Sequence, residues 1–224
     1  MGSVMGEKLT RAIERATGYA PRGFRGPGYS LSPATLETLA RHGYAYDAST
    51  LPTFLGPLAR TYYFMTSRLT PAERAQRREL FGSWRDGLRT LRPYRWDLGD
   101  AGSLIEVPVT TFPLVKVPIH FSYVLFIALR SPALAVAYFR AALSACRAAR
   151  IGPSLLLHPL DFLDADDVPS LAFFPAMAMK SKQKIDLIDR LLETYATGFE
   201  IAPVGEHAAA AGALLTSKSS TGRR

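Results

Sequence analysis

The sequence predicts an α/β protein of barrel-like layout with its site at one rim, on three observations. A short aromatic run, Gly23-Phe24-Arg25, ends on an arginine and is stopped by Gly26-Pro27-Gly28. Glycine in such a turn lets a ligand approach the main chain, and proline fixes the turn itself. A second run, Gly43-Tyr44-Ala45-Tyr46-Asp47, ends on a carboxylate, and a third, Leu155-Leu156-Leu157-His158, ends on a histidine. Polar residues at the tips of successive strands, with helices between the strands, are how α/β barrels build their sites.

From about Glu7 to Thr17, Leu9, Ile13 and Ala16 recur at helical spacing, and Gly18 is a natural stop. Pro21 to Gly28 is the first strand and its turn. Ser32-Pro33 starts the next helix, with serine as N-cap and proline at the first helical position, and that helix runs to about His42 before Gly43. Tyr44 to Ala48 is the second strand. Leu51 to Gly102 is irregular, apart from a cap-and-proline helix start at Thr70-Pro71-Ala72-Glu73 that runs to about Phe81. Its aromatics, Trp84, Tyr94 and Trp96 among them, are read chiefly as packing under a long excursion, with stacking on sugar rings as the other reading.

Leu104 to Thr110 is rich in β-formers and reads as the third strand. Val117 to Leu129 is very apolar, and an alanine-rich helix capped by Ser131, with Pro132 first, follows to about Arg150. The two together are not a membrane hairpin. Spanning needs about 20 apolar residues, whereas the first stretch is short and holds His120 and the second carries Arg140 and Arg147. Ser154 to His158 is the next strand, and Pro159 to Pro175 is a loop holding Asp161, Asp164, Asp166 and Asp167, read as a surface acidic loop. Ser181 to about Ala196 is an amphipathic helix whose apolar face is Ile185, Leu187, Ile188, Leu191 and Leu192. Phe199 to Pro203 is the last strand. The segment 208–224 is expected to be a disordered basic tail.

The chain has 224 residues, long enough for one domain with a substantial core. Its 27 Lys plus Arg against 19 Asp plus Glu give a net charge of +8. The arginines scatter along the chain and accompany no nucleic-acid motif, so solvated surface charge is the expectation and nucleic acid is not an expected partner. The single cysteine, Cys146, excludes an internal disulfide and a cysteine-based metal site. The N-terminus has no apolar signal-peptide core, so the chain as written is expected to be cytoplasmic. There is no Gly-x-Ser-x-Gly elbow to support a serine hydrolase.

Arg25-Gly26-Pro27-Gly28, the Gly43 to Ser49 segment and Leu155-x-x-His158 occur in this order with helical connections between them. In this the chain resembles the polysaccharide deacetylase family, the metal-dependent carbohydrate N-deacetylases related to the nodulation-factor deacetylase. The resemblance runs from about Gly6 to His207 and implies a partial distorted (β/α) barrel that lacks its opening βα segments. The family's Asp-Asp strand and its His-x-x-x-His pair are absent before Arg25. Residues 1–207 therefore correspond to the C-terminal part of such a domain.

The resemblance implies removal of N-acetyl groups from a carbohydrate, with a zinc-like divalent metal in the full-length family. No metal is expected to bind this chain, and the chain alone is expected to be inactive. His158 is the candidate general acid for the departing amine. Arg25 is the residue that in relatives holds the catalytic aspartate; alone, it is read as a strand-end charge. Asp47 is the strand-end aspartate that in relatives helps set the histidine, or else makes an Asx-turn into Ser49-Thr50. Gly28, with Tyr29 beside it, takes the place of the backbone donor to the oxyanion, and Glu106 lies on the strand that lines the cleft in relatives. Asp161 is read as capping the turn after His158, with orientation of the imidazole as the alternative. His120, His158 and the aspartates of the loop lack a compact metal-ligand spacing. A non-catalytic carbohydrate-binding protein, using Trp84 and Trp96, is the competing reading.

Overall fold

The computed structural model describes residues 2–58, 61 and 83–221. The helix expected from Thr70 lies outside the described residues. Helix α1 (Gly2–Thr17) leads into β1 (Gly23–Phe24), α2 (Pro33–Arg41) and β2 (Tyr46–Asp47). Then come β3 (Tyr94–Asp97), β4 (Ser103–Glu106), α3 (Phe121–Ala128), α4 (Pro132–Ala148), α5 (Ser181–Ala196) and α6 (Val204–Thr221). The fold is mixed α/β. Its four strands form an open sheet in the order β1-β2-β4-β3, with β1, β2 and β4 parallel and β3 antiparallel to β4.

The helix starts follow from local chemistry. Ser32 and Ser131 each accept a hydrogen bond from the backbone N–H three residues on, satisfying a donor that the helix itself cannot, and a proline follows each cap. Gly43, with φ 76°, closes α2 in the left-handed region.

Alternation along β4 sends neighbouring side chains to opposite faces. Leu104 packs with Leu36, Leu39 and Tyr44 under α2. Ile105 packs with Val107 and with Ala208 of α6. Arg95 of β3 ties α6 down, donating to Thr216 Oγ1 at 3.0 Å. The main core is helical: Phe121, Val124 and Leu125 of α3 meet Phe139 and Leu143 of α4 and Leu187, Ile188 and Leu191 of α5. Each such side chain contributes about 1.5–3 kcal/mol when fully buried.

Several expectations are corrected. The described part of the expected tail, 208–221, is helical: α6 continues to Thr221, and alanine, which fills its first half, has the highest helix propensity of any residue. Among the described residues, the segments 154–158 and 199–203 join no sheet ladder. The first of them is held irregularly, by Thr110 N–H to Ser154 O at 3.0 Å and Phe121 N–H to Leu156 O at 3.3 Å. Strand β3 falls in a stretch read as irregular. On α5 it is Lys184, fully buried, that takes a core position, while Ile185 is 42% exposed.

Candidate functional site

The turn after β1 forms one wall of a pocket of about 490 Å3. Gly28 (φ 57°, ψ 29°) and Tyr29 (φ 61°) sit consecutively in the left-handed region, which a tyrosine seldom adopts. Gly26 is required for a different reason: a Cβ there would lie 2.0 Å from the Ser30 carbonyl oxygen. Its N–H donates to Ser49 Oγ at 2.7 Å. Tyr29 and Ser30 N–H close the turn onto Gly26 and Pro27, and the Gly28 N–H has no acceptor among the described residues. Gly28, with that N–H, lines the pocket.

Arg25, Gly28, Tyr29 and His158 all line this pocket, so the structure brings four of the six expected site residues together. Arg25 makes no ion pair among the described residues. Its Nε donates to Ala48 O at 2.9 Å, and burial draws its pKa down against the pull of Tyr29 and Asp47. The Tyr29 hydroxyl is shut off from solvent with no hydrogen-bond partner. Burial raises its pKa, so it stays a neutral donor.

Asp47 and Glu106 lie elsewhere. They are register neighbours on β2 and β4, and both are fully buried. Asp47 accepts from Ser49 N–H at 3.0 Å and Ser49 Oγ at 2.6 Å, the Asx-turn reading and not a contact with His158. Glu106 accepts from Thr50 N–H at 3.1 Å, Thr50 Oγ1 at 2.7 Å and Trp96 Nε1 at 2.9 Å. It lines no part of the pocket; its expected place in the cleft is corrected, because both oxygens hold the scaffold. Burial first, and the neighbouring Asp47 second, push its pKa upward.

What holds His158 comes from two places the sequence reading did not join. Ser122, in the first turn of α3, donates its hydroxyl to Asp161 Oδ1 at 2.5 Å, and its oxygen lies 3.0 Å from His158 Nδ1. The Asp161 carboxylate also accepts from the His158 backbone N–H at 2.7 Å. Asp161 thus makes the expected cap and reaches the imidazole through Ser122 as well. Burial works to raise its pKa, but the bonds from His158 and Ser122 outweigh burial and hold it below the usual carboxylate range.

Proton counting then assigns the ring. The serine proton goes to the carboxylate, so the serine oxygen is an acceptor toward His158 and Nδ1 must carry a hydrogen. That leaves Nε2 as the ring nitrogen without a partner among the described residues. The His158 side chain is 39% exposed while Asp161 is sealed, so only the histidine meets a ligand.

His120 completes the cluster. Its ring centroid is 6.1 Å from that of His158 and 6.4 Å from that of Tyr29. Its Nδ1 is enclosed and unpartnered. Burial first, and His158 second, draw its pKa down to about 4, so it is neutral at physiological pH. The available signal was two polar residues, His120 and Ser122, inside an otherwise apolar run.

Among the described residues no group of three or more His, Cys, Asp or Glu could hold a metal ion. Asp161 is already engaged by Ser122 and His158, Asp166 pairs with Lys180, and Asp164 and Asp167 are held by Ser181 at the start of α5. Asp164 accepts from Ser181 N–H at 3.0 Å and Asp167 from Ser181 Oγ at 2.6 Å. The described donor set therefore does not fit a resident divalent metal. Nor, among the described residues, is any helix long and apolar enough to cross a membrane. Comparison with protein-family models, curated proteins and solved structures finds no match for this chain.

Proposed function

We propose that the chain carries the leaving-group side of an amide-hydrolysing site of the polysaccharide deacetylase kind, acting on an N-acylated sugar, within part of a distorted (β/α) barrel. The observation that supports this best is the Ser122–Asp161 pair, which leaves Nε2 of an accessible histidine turned away from its anchor beside the Gly28 turn. In amide hydrolysis, water oxygen adds to the carbonyl carbon and the water's protons pass to solvent, the C–N bond breaks, and the departing nitrogen must gain a proton. Protonated His158 gives that proton from Nε2, while Asp161, through Ser122, holds the ring in place. The Gly28 N–H serves as donor to the carbonyl oxygen as negative charge develops there. The products are a carboxylate and an amine. In the family that the sequence resembles, a metal activates the water, and the chain alone is expected to release no acetate because the sequence before Arg25 lacks that family's Asp-Asp and His-x-x-x-His motifs.

The test is binding. Titration of the chain with N-acetylated chitotetraose, followed through histidine ring NMR signals, should shift His158 and His120 saturably and leave His42 unmoved. The fully deacetylated oligomer should shift none of them. Absence of any saturable shift at millimolar N-acetylated oligomer would overturn the proposal. A signal that survives His158→Ala but is lost in Trp84→Ala would favour the carbohydrate-binding reading.

A further inference from the structure

We propose that the pocket takes an acyl chain longer than acetyl, lying against Leu156, Leu160 and Phe174; this rests on the amide-hydrolase reading of the same site. The pocket's polar side chains are Arg25, Tyr29, His120, Ser122 and His158, the backbone of Gly26 and Gly28 lies beside them, and Pro27, Leu156, Leu160 and Phe174 supply carbon. Ser122 is already held between Asp161 and His158. A pyranose ring pressed on the carbon wall would bury several hydroxyls with no partner, which opposes binding. An acetyl methyl would fill only a small part of about 490 Å3, a volume in the ~300–1,000 Å3 range of pockets that enclose whole small ligands. The group that matches polar atoms at one end and carbon at the other is an amide bearing an aliphatic chain.

A place for the sugar exists next door. Tyr29 also lines a second pocket of about 340 Å3, with Asp86, Arg89 and Trp96 on its wall. Asp86 and Arg89 are ion-paired at 2.8 Å, and the guanidinium lies over the Trp96 ring at 5.3 Å. Charged edges for hydroxyls and an aromatic edge for a ring are what a saccharide needs. Tyr29, in its left-handed conformation, stands between the two, where an N-acyl sugar would place its amide.

The expected consequence is a dependence of affinity on chain length. With N-acetyl-, N-butyryl- and N-hexanoyl-glucosamine titrated calorimetrically into the whole chain, Kd should fall about tenfold from acetyl to butyryl and again on going to hexanoyl. In Leu160→Trp, which fills the carbon-lined end, the acetyl-to-hexanoyl ratio should collapse toward one. If that variant does not fold, methyl NMR shifts of Leu156 and Leu160 during the hexanoyl titration of the wild-type chain answer the same question. Saturable binding of the acetyl sugar with no gain from longer chains would overturn the inference while leaving the amide-site reading intact. A gain that Leu160→Trp leaves unchanged, or leucine methyls that stay still, would place the chain elsewhere and overturn it too. Failure of all three sugars to bind would remove both readings together.

Discussion

Two buried polar clusters stand at the C-terminal ends of this sheet and its neighbouring segments, and they differ in what their hydrogen bonds leave over. In the Asp47–Glu106 pair, every carboxylate oxygen accepts from Ser49, Thr50 or Trp96. Neither carboxylate lines a pocket described above, and burial first, with the neighbouring Asp47 second, presses the Glu106 carboxyl toward its protonated form. In the His158–Ser122–Asp161 cluster, the same kind of buried carboxylate is satisfied by one hydroxyl and one backbone N–H. Its chain of bonds ends on a ring whose second nitrogen is left open. Burial of a carboxylate beside a strand end therefore does not by itself mark a working group. The direction in which its hydrogen bonds run decides.

The largest expected effect breaks the first cluster. Glu106→Ala leaves the Thr50 and Trp96 donors buried without an acceptor and should cost about 3 kcal/mol in urea unfolding. The His158 ring signals should not move. Asp161→Asn should cost less, about 2 kcal/mol, yet alter those ring signals, because the amide cannot accept the serine proton and anchor the backbone equally well. A loss of stability in Glu106→Ala that also shifts His158 would mean the two clusters are not separate.

The clusters should also titrate in opposite directions. Glu106 has its folded pKa above its ordinary 4.5, so the folded chain binds the extra proton and stability falls as pH rises above that value. His120 has its folded pKa lowered from 6.5 to about 4, so the unfolded chain binds more protons and stability falls as pH drops through that window. Each slope is at most about 1.4 kcal/mol per pH unit. Thermal melts across pH should show the alkaline loss flattened in Glu106→Gln and the acid loss flattened in His120→Gln. The smallest effect is that of Ser122→Ala, about 1 kcal/mol. It removes the acceptor at His158 Nδ1 and should let the Nε2–H tautomer appear.

What the sequence made legible was local. Ser32-Pro33 and Ser131-Pro132 announce helix starts because cap and proline act within one turn, and Gly26-Pro27-Gly28 announces its own turn. Arg25 and His158 stand out in the sequence as candidates because each ends an extended segment, and Gly28 because it lies in the turn after Arg25. Ser122 was not, since it meets Asp161 across 39 positions and lies in a run whose other residues fill the core. Lys184 was hidden in the same way: it occupies an apolar face and donates to the carbonyls of Leu160 and Leu163, bonds that no periodicity announces. Strand β3 depends on pairing with β4, and its sequence, Tyr94-Arg95-Trp96-Asp97, carries little apolar signal of its own. The helix at 204–221 was legible in its alanines and was misread from its polar end.

The central claim is that Ser122 and Asp161 hold His158 with its proton on Nδ1 and its Nε2 open to the pocket. Two-bond 1H–15N correlation of the histidine rings in the neutral state tests it most directly. The account requires an imine-like Nε2 and a protonated Nδ1 for His158, changed by Asp161→Asn and untouched by Glu106→Gln. A neutral His158 found mainly as the Nε2–H tautomer, or one indifferent to Asp161, would contradict it.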